Sequence, residues 1–330
     1  MNISIGNIIK YSFFTAITLA VLYFVFKDID FAVLWNDIKH MNIWWVILSL
    51  VFATLGYISR AIRWVLLIET LGHTPSFKNS FTALMFGYFA NLAIPRIGEV
   101  ARCGVLHKQE NIPVNKLIGT VVIERLSDLF MLFLIAMSVL LLKYDFLGGF
   151  LKEHVFDAAV EKVETIPLSY VIITTSLLSI IGILLIVSKN KFSFSRKATN
   201  FVKGIVTGMK SVFSMKKRVQ FIAHTVFIWL MYWAMTYVVF FAIPYTAHLS
   251  ASDGLFILIV GGLGMTAPVQ SGMGVFHWIV GQALLLYGLD FATQGIVFAT
   301  ISHGSQTLLV LILGIISIVT MSKPHSHAKK

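Results

Sequence analysis

Charge and cysteine are what this chain has least of. Only 12% of its 330 residues are charged, against 57% that are hydrophobic, a balance that excludes a water-soluble globular domain. The single cysteine, Cys103, excludes an internal disulfide and carries no compartment information; a buried apolar thiol is the expected reading. Strands that alternate apolar and polar residues are also missing, because the apolar runs are too long and too uniform for a membrane barrel. The first run, Ile8 to Phe26, is long, has only a weak basic head and lacks a small-residue cleavage site. It ends in Lys27-Asp28-Ile29-Asp30, which excludes a signal peptide and makes it the first span.

What is present is a series of apolar runs. Those near 8–26, 43–68, 117–142, 168–188, 219–243 and 294–321 are each long enough for the roughly 30 Å of hydrocarbon that a helix of about 20 residues crosses. Two others are broken. Phe81 to Ile94 stops at Pro95-Arg96-Ile97-Gly98-Glu99, and Gly254 to Ala267 stops at Pro268-Val269-Gln270-Ser271-Gly272-Met273-Gly274 before the chain resumes to Leu289. At about 1.5 Å per residue, pieces of this length fall short of a crossing, so residues 81–105 and 254–289 are expected to be re-entrant hairpins, with Pro95, Gly98, Pro268, Gly272 and Gly274 as their hinges.

Basic residues test that arrangement. Residues 189–218 carry nine Lys or Arg and neither Asp nor Glu, whereas 143–167 hold Asp145, Glu153, Asp157, Glu161 and Glu164; the first loop belongs in the cytoplasm and the second outside. With two hairpins, both termini, residues 69–80 and residues 105–116 also fall inside. The fold class expected is therefore an all-α polytopic membrane protein with six spanning helices and two re-entrant hairpins. Each half, 1–145 and 165–322, reads span, span, hairpin, span. Three crossings per half make an inverted-topology repeat, the arrangement in which paired broken helices mark a substrate site. Within 189–218, Phe201, Val202, Ile205, Met209, Val212 and Phe213 recur at helical spacing between lysines, the pattern of an amphipathic helix on an anionic leaflet. The net charge of +11 is thereby accounted for without nucleic acid.

Charge inside apolar segments is costly and marks candidate function. It concentrates at Arg60 and Arg63, at Arg96, Glu99 and Arg102, and at Glu124, Arg125 and Asp128, with Glu124 and Asp128 one turn apart on one face. Two readings stay open: an ion-pair network that pins a broken helix, and a guanidinium cradle for a phosphate or carboxylate head group. The second hairpin offers uncharged hydrogen-bonding groups, Gln270, Ser271, His277, Gln282, His303 and Gln306. His277 and His303 suit either structural bonding or a proton relay. A Ser271–His303 dyad lacks a third group and an oxyanion hole, and the terminal His325 and His327 offer too few ligands for a metal. No catalytic residue, metal or cofactor is expected.

The run Pro95-Arg96-Ile97-Gly98-Glu99 with Arg102, then Glu124-Arg125 and Asp128, then Pro268 with Gly272-Met273-Gly274, resembles the lysylphosphatidylglycerol synthase transmembrane-region family, the flippase-like membrane domain. The resemblance covers nearly the whole chain. It implies re-entrant helices in two inverted halves, a bacterial inner membrane, and translocation of lipids such as aminoacylated phosphatidylglycerol. The family's second motif carries a glutamate three residues after its last glycine; here that position is His277, which points to another substrate. The synthases add a soluble aminoacyl-transferase domain, and this chain is expected to lack it and not to be an enzyme. The expected partners are membrane lipids, an anionic phospholipid or a polyprenyl-phosphate lipid, with a homo-oligomer or a partner enzyme also compatible. Alternatives to transport are a non-catalytic membrane subunit for a lipid-modifying or glycosyl-transferring enzyme, and an intramembrane enzyme using Glu99, Glu124 and His277.

Overall fold

The computed structural model describes residues 5–27, 31–144 and 215–321. The expected span at 168–188 and the basic amphipathic loop lie outside the described residues. Those described are helical, with no strand among them. The helices are α1 (Ile5–Phe26), α2 (Phe31–His40), α3 (Ile43–Glu69), α4 (Phe77–Ala93), α5 (Gly98–Glu110), α6 (Val114–Leu142), α7 (Arg218–Val239), α8 (Ala251–Met265), α9 (Val275–Leu285) and α10 (Ile296–Met321). Among the described residues, four stretches are long and apolar enough to cross a membrane: Ile43–Glu69, Val114–Leu142, Arg218–Ala242 and Phe291–Met321.

Local chemistry sets the helix ends. Asn42 begins α3 by accepting from the Trp44 amide, Ser76 begins α4 by accepting from the Asn79 amide, and Ser250 and Asp253 exchange reciprocal bonds at the start of α8. Each cap satisfies amide donors that no helical carbonyl reaches. Pro95 ends α4 because the residue before a proline is pushed out of the helical region; Ile94 is extended, at φ −134°. Pro268 has the same place after α8.

Both broken segments fold back on themselves. Glu110, at the end of α5, accepts from the Ser76 amide at 2.9 Å and from Asn79 Nδ2 at 2.7 Å, so the chain returns to where α4 began. Midway the two helices touch backbone to backbone: a Cβ on Gly87 would lie 2.8 Å from the Gly98 carbonyl, and one on Gly98 would run into the Gly87 carbonyl and Asn91. Gly98 thus acts through its lack of a side chain, as the first residue of α5. The left-handed residue of this turn is Arg96, at φ 59°. In the second segment the Phe256 and Tyr287 rings, near the two ends, lie 6.2 Å apart. A Cβ on Gly264 would approach the Phe276 backbone to 3.0 Å. Its turn holds three left-handed residues, Ser271, Gly272 and Gly274, and the last two are the glycines expected as hinges.

Three further contacts assemble the bundle. Ser49 bonds the Met235 carbonyl at 2.8 Å and Ser59 meets His224 Nδ1 at 2.8 Å, which makes α3 and α7 antiparallel neighbours. Phe89 on α4 fits against Gly314 on α10. Arg96 Nη2 donates to the Thr266 carbonyl at the end of α8, so the tip of the first hairpin meets the second. One buried apolar cluster joins Trp64, Ile68, Ala83, Cys103, Leu106 and Leu117 from α3 to α6, and another joins Ala53, Tyr57, Ala61, Leu84 and Met85. Between them they hold the charged residues described next.

Candidate functional site

Glu124 is the centre of the charge cluster. Its side chain is 0% exposed, and four guanidiniums meet it: Arg60, Arg63 at 3.6 Å, Arg102 at 3.0 Å and Arg125 at 3.3 Å. Asp128, one turn on, takes Arg60 at 3.0 Å, Arg63 at 2.8 Å and Arg125 at 3.9 Å. The arginines come from three helices because each points inward from a different side: Arg60 and Arg63 from one face of α3, Arg102 from α5, and Arg125 from α6 itself. Aromatic faces carry the buried cations, which suits a delocalised, weakly hydrated guanidinium. Arg102 lies 4.5 Å over Trp64, Arg63 5.8 Å over Phe221 and Arg60 5.9 Å over Tyr88.

The cluster is deep at one end and open at the other. Arg63 is fully buried and Arg102 3% exposed, while Asp128 is 14% and Arg125 44% exposed. Donors also outnumber acceptors. Arg60 Nη1 reaches the Tyr232 hydroxyl at 2.9 Å and Arg63 Nη1 the Thr225 hydroxyl at 3.3 Å, yet Arg60 Nε, Arg63 Nε and Arg102 Nη1 are buried without an acceptor among the described residues. The Tyr88 hydroxyl is in the same condition. Buried donors are ordinarily paired, and four cations on two carboxylates leave two positive charges in excess. The ion pairs join α3, α5 and α6, the first of the two readings the sequence left open, and three guanidinium nitrogens are left without an acceptor among the described residues.

Other expected site residues lie elsewhere. Arg96 is exposed and spends its guanidinium on Thr266, and Glu99 stands in the first turn of α5. Gln270 bonds Thr15 at 3.2 Å and Thr18, tying the second turn to α1. His277 and His303 form a buried pair, ring centroids 5.2 Å apart. His277 Nδ1 accepts from the Gly274 amide at 3.3 Å, capping α9, and His303 Nε2 meets the Ser271 carbonyl at 2.9 Å. That contact is to backbone, so Ser271 and His303 form no nucleophile–base dyad. Gln306 is partly exposed on α10 and bonds none of these groups. Among the described residues no group of His, Cys, Asp and Glu is placed to hold a metal.

Tyr88, Tyr232, Thr225 and Trp64 belong to the cluster without having been singled out by sequence. Trp64 had a signal, since it lies four residues after Arg60 on the same face of α3. The other three stand on α4 and α7, and their proximity arises only from packing.

The model of the lysylphosphatidylglycerol synthase transmembrane region matches residues 9–314. The chain belongs to that family. It is also 36% identical over 87 residues to a UPF0104 membrane protein of Methanocaldococcus jannaschii, a match that covers 26% of each protein. No solved structure matches. Family membership makes this a membrane protein of a family named for a lipid synthase, and among its apolar helices it carries the cluster of Arg60, Arg63, Arg102, Glu124, Arg125 and Asp128.

Proposed function

We propose that this protein translocates an anionic lipid between the leaflets of a bacterial inner membrane, binding its head group at the Glu124-centred arginine cluster while the acyl chains remain in the bilayer. The observation that carries the reading is the surplus of buried guanidinium donors over acceptors at a cluster that opens through the half-exposed Arg125. A network serving stability alone has no use for unpaired charge: buried cations are expensive unless matched. An anionic head group would supply the missing acceptors as paired, bidentate bonds.

In this reading both hairpins are re-entrant, and the termini and residues 69–80 and 105–116 are cytoplasmic. The Ser76–Glu110 bond supports it, as does the Lys217–Glu69 pair at 2.7 Å, which brings the cytoplasmic ends of α3 and α7 together. Two inverted halves rock about the tip contact and expose the cluster to each side in turn. Neither a cofactor nor an enzymatic step enters. Purified protein in liposomes should move labelled anionic phospholipid between leaflets, and Arg102→Ala should reduce the rate at least tenfold. Equal rates for empty liposomes, wild type and variant would remove the proposal.

A further inference from the structure

We infer that the head group is a phosphate monoester, carried as a dianion, in preference to a singly charged phosphodiester. The inference rests on the translocase reading and narrows its substrate. Charge counting carries it. Glu124 and Asp128 are met by Arg60, Arg63, Arg102 and Arg125, leaving an excess of two. Arg96 and Glu99, at the hairpin tip, cancel one another and leave the excess unchanged. A phosphodiester such as phosphatidylglycerol brings one negative charge and leaves one buried cation unmatched. Aminoacylation of phosphatidylglycerol adds ammonium groups that offset that charge, leaving an alanyl ester net neutral and a lysyl ester net positive. A monoester brings between 1.5 and 2 negative charges at neutral pH, its second pKa being about 6, and three strongly accepting oxygens. The cluster holds the same number of buried nitrogens without an acceptor among the described residues, Arg60 Nε, Arg63 Nε and Arg102 Nη1. The Arg60 and Arg102 guanidiniums are held together by their shared hold on Glu124. The same chemistry is offered by a monophosphorylated lipid, such as a polyprenyl phosphate, and by free inorganic phosphate. The cluster lies among apolar helices, and the lipid is the source to which the structure commits.

The full chain in phosphatidylcholine nanodiscs would be titrated, above the second phosphate pKa, with a short polyprenyl phosphate and with its methyl ester. The two ligands share a tail and differ by one charge. The expected result is binding of the monoester about tenfold tighter than the diester, the order of one additional charge-assisted pair. Arg125→Ala lowers the excess from two to one and should level the two affinities; this rim side chain is half exposed, so its removal spares the packing. Asp128→Asn raises the excess to three and should widen the preference, a change that no loss of stability would imitate. Inorganic phosphate should fail to displace the lipid at matched concentration, and displacement would reassign the site to soluble phosphate and overturn the lipid assignment. Equal affinity for monoester and diester, both weakened by Arg102→Gln, overturns the dianion and leaves translocation standing. No binding of either ligand, together with no transport in liposomes, overturns both.

Discussion

Glu124 is where the molecule's electrostatics concentrate, and its removal has a sign that can be derived. With the carboxylate gone, Arg60 and Arg63 keep Asp128 as their only carboxylate, and buried Arg102 loses the carboxylate it pairs with. Breaking a buried pair by deleting one partner costs about 3–5 kcal/mol. Glu124→Gln should therefore lower the thermal midpoint in detergent well below that of Asp128→Asn, because Asp128 is partly exposed and water can take over part of its role. A midpoint equal to wild type would mean that the pairs contribute nothing to the fold. At this scale much was legible in the sequence: charge within an apolar run is improbable unless used, and Arg60, Arg63, Arg102, Glu124, Arg125 and Asp128 all join one cluster. What stayed hidden was the pairing. Which guanidinium reaches which carboxylate depends on helix–helix register, and nothing along the chain fixes that. Arg96 shows the same limit, since its side chain reaches a backbone carbonyl from the other hairpin, which no spacing rule would find.

The hairpins depend on close backbone contact more than on side chains. Any Cβ at Gly98 meets the Gly87 carbonyl and Asn91, and Asn91 Oδ1 also accepts the Gly98 amide at 2.7 Å, so the residue is confined on two counts. Gly98→Val should prise α4 from α5 and destabilise by about 1–3 kcal/mol, the usual cost of overpacking, read as a lowered thermal midpoint and as loss of transport. Unchanged behaviour would show that the helices separate without penalty. A milder effect is expected at the start of α8, where Ser250→Ala removes the cap shared with Asp253 at a cost of about 1 kcal/mol. The broken segments themselves were legible, because Pro95 and Pro268 interrupt runs too short to cross. Helix α2 was not. Its ten residues mix Asn36, Asp37, Lys39 and His40 with apolar ones, a composition that reads as a loop until Leu34 and Ile38 are seen packed into the core beneath it. The π-turn Phe291–Gly295 that opens the final helix left no sequence mark either, being set where Gly295 presses against Gly281.

The whole molecule rests on where its ends lie. Lys78 and Lys108 are both exposed, near the start of α4 and the end of α5, and the bond between Ser76 and Glu110 draws those ends together. With Cys103 replaced, Lys78→Cys and Lys108→Cys should react with a membrane-impermeant maleimide from the same face of the membrane. Labelling from opposite faces would make the α4–α5 segment a crossing and dissolve the inverted halves. Long apolar helices were legible at this scale from residue content, and the family from the motifs around Pro95, Glu124 and Pro268. The antiparallel pairing of α3 with α7, through Ser49–Met235 and Ser59–His224, was not, since it joins residues more than 160 positions apart.

The single bond from Arg96 to the Thr266 carbonyl has a mechanical meaning. Under the proposed arrangement, with the two hairpins entering from opposite leaflets, this bond would join them at their tips, and a displacement of one would be felt by the other. Were a lipid to pass one tip, as the proposed translocation requires, its twin would be loaded in turn, and the two sides would open by turns instead of together.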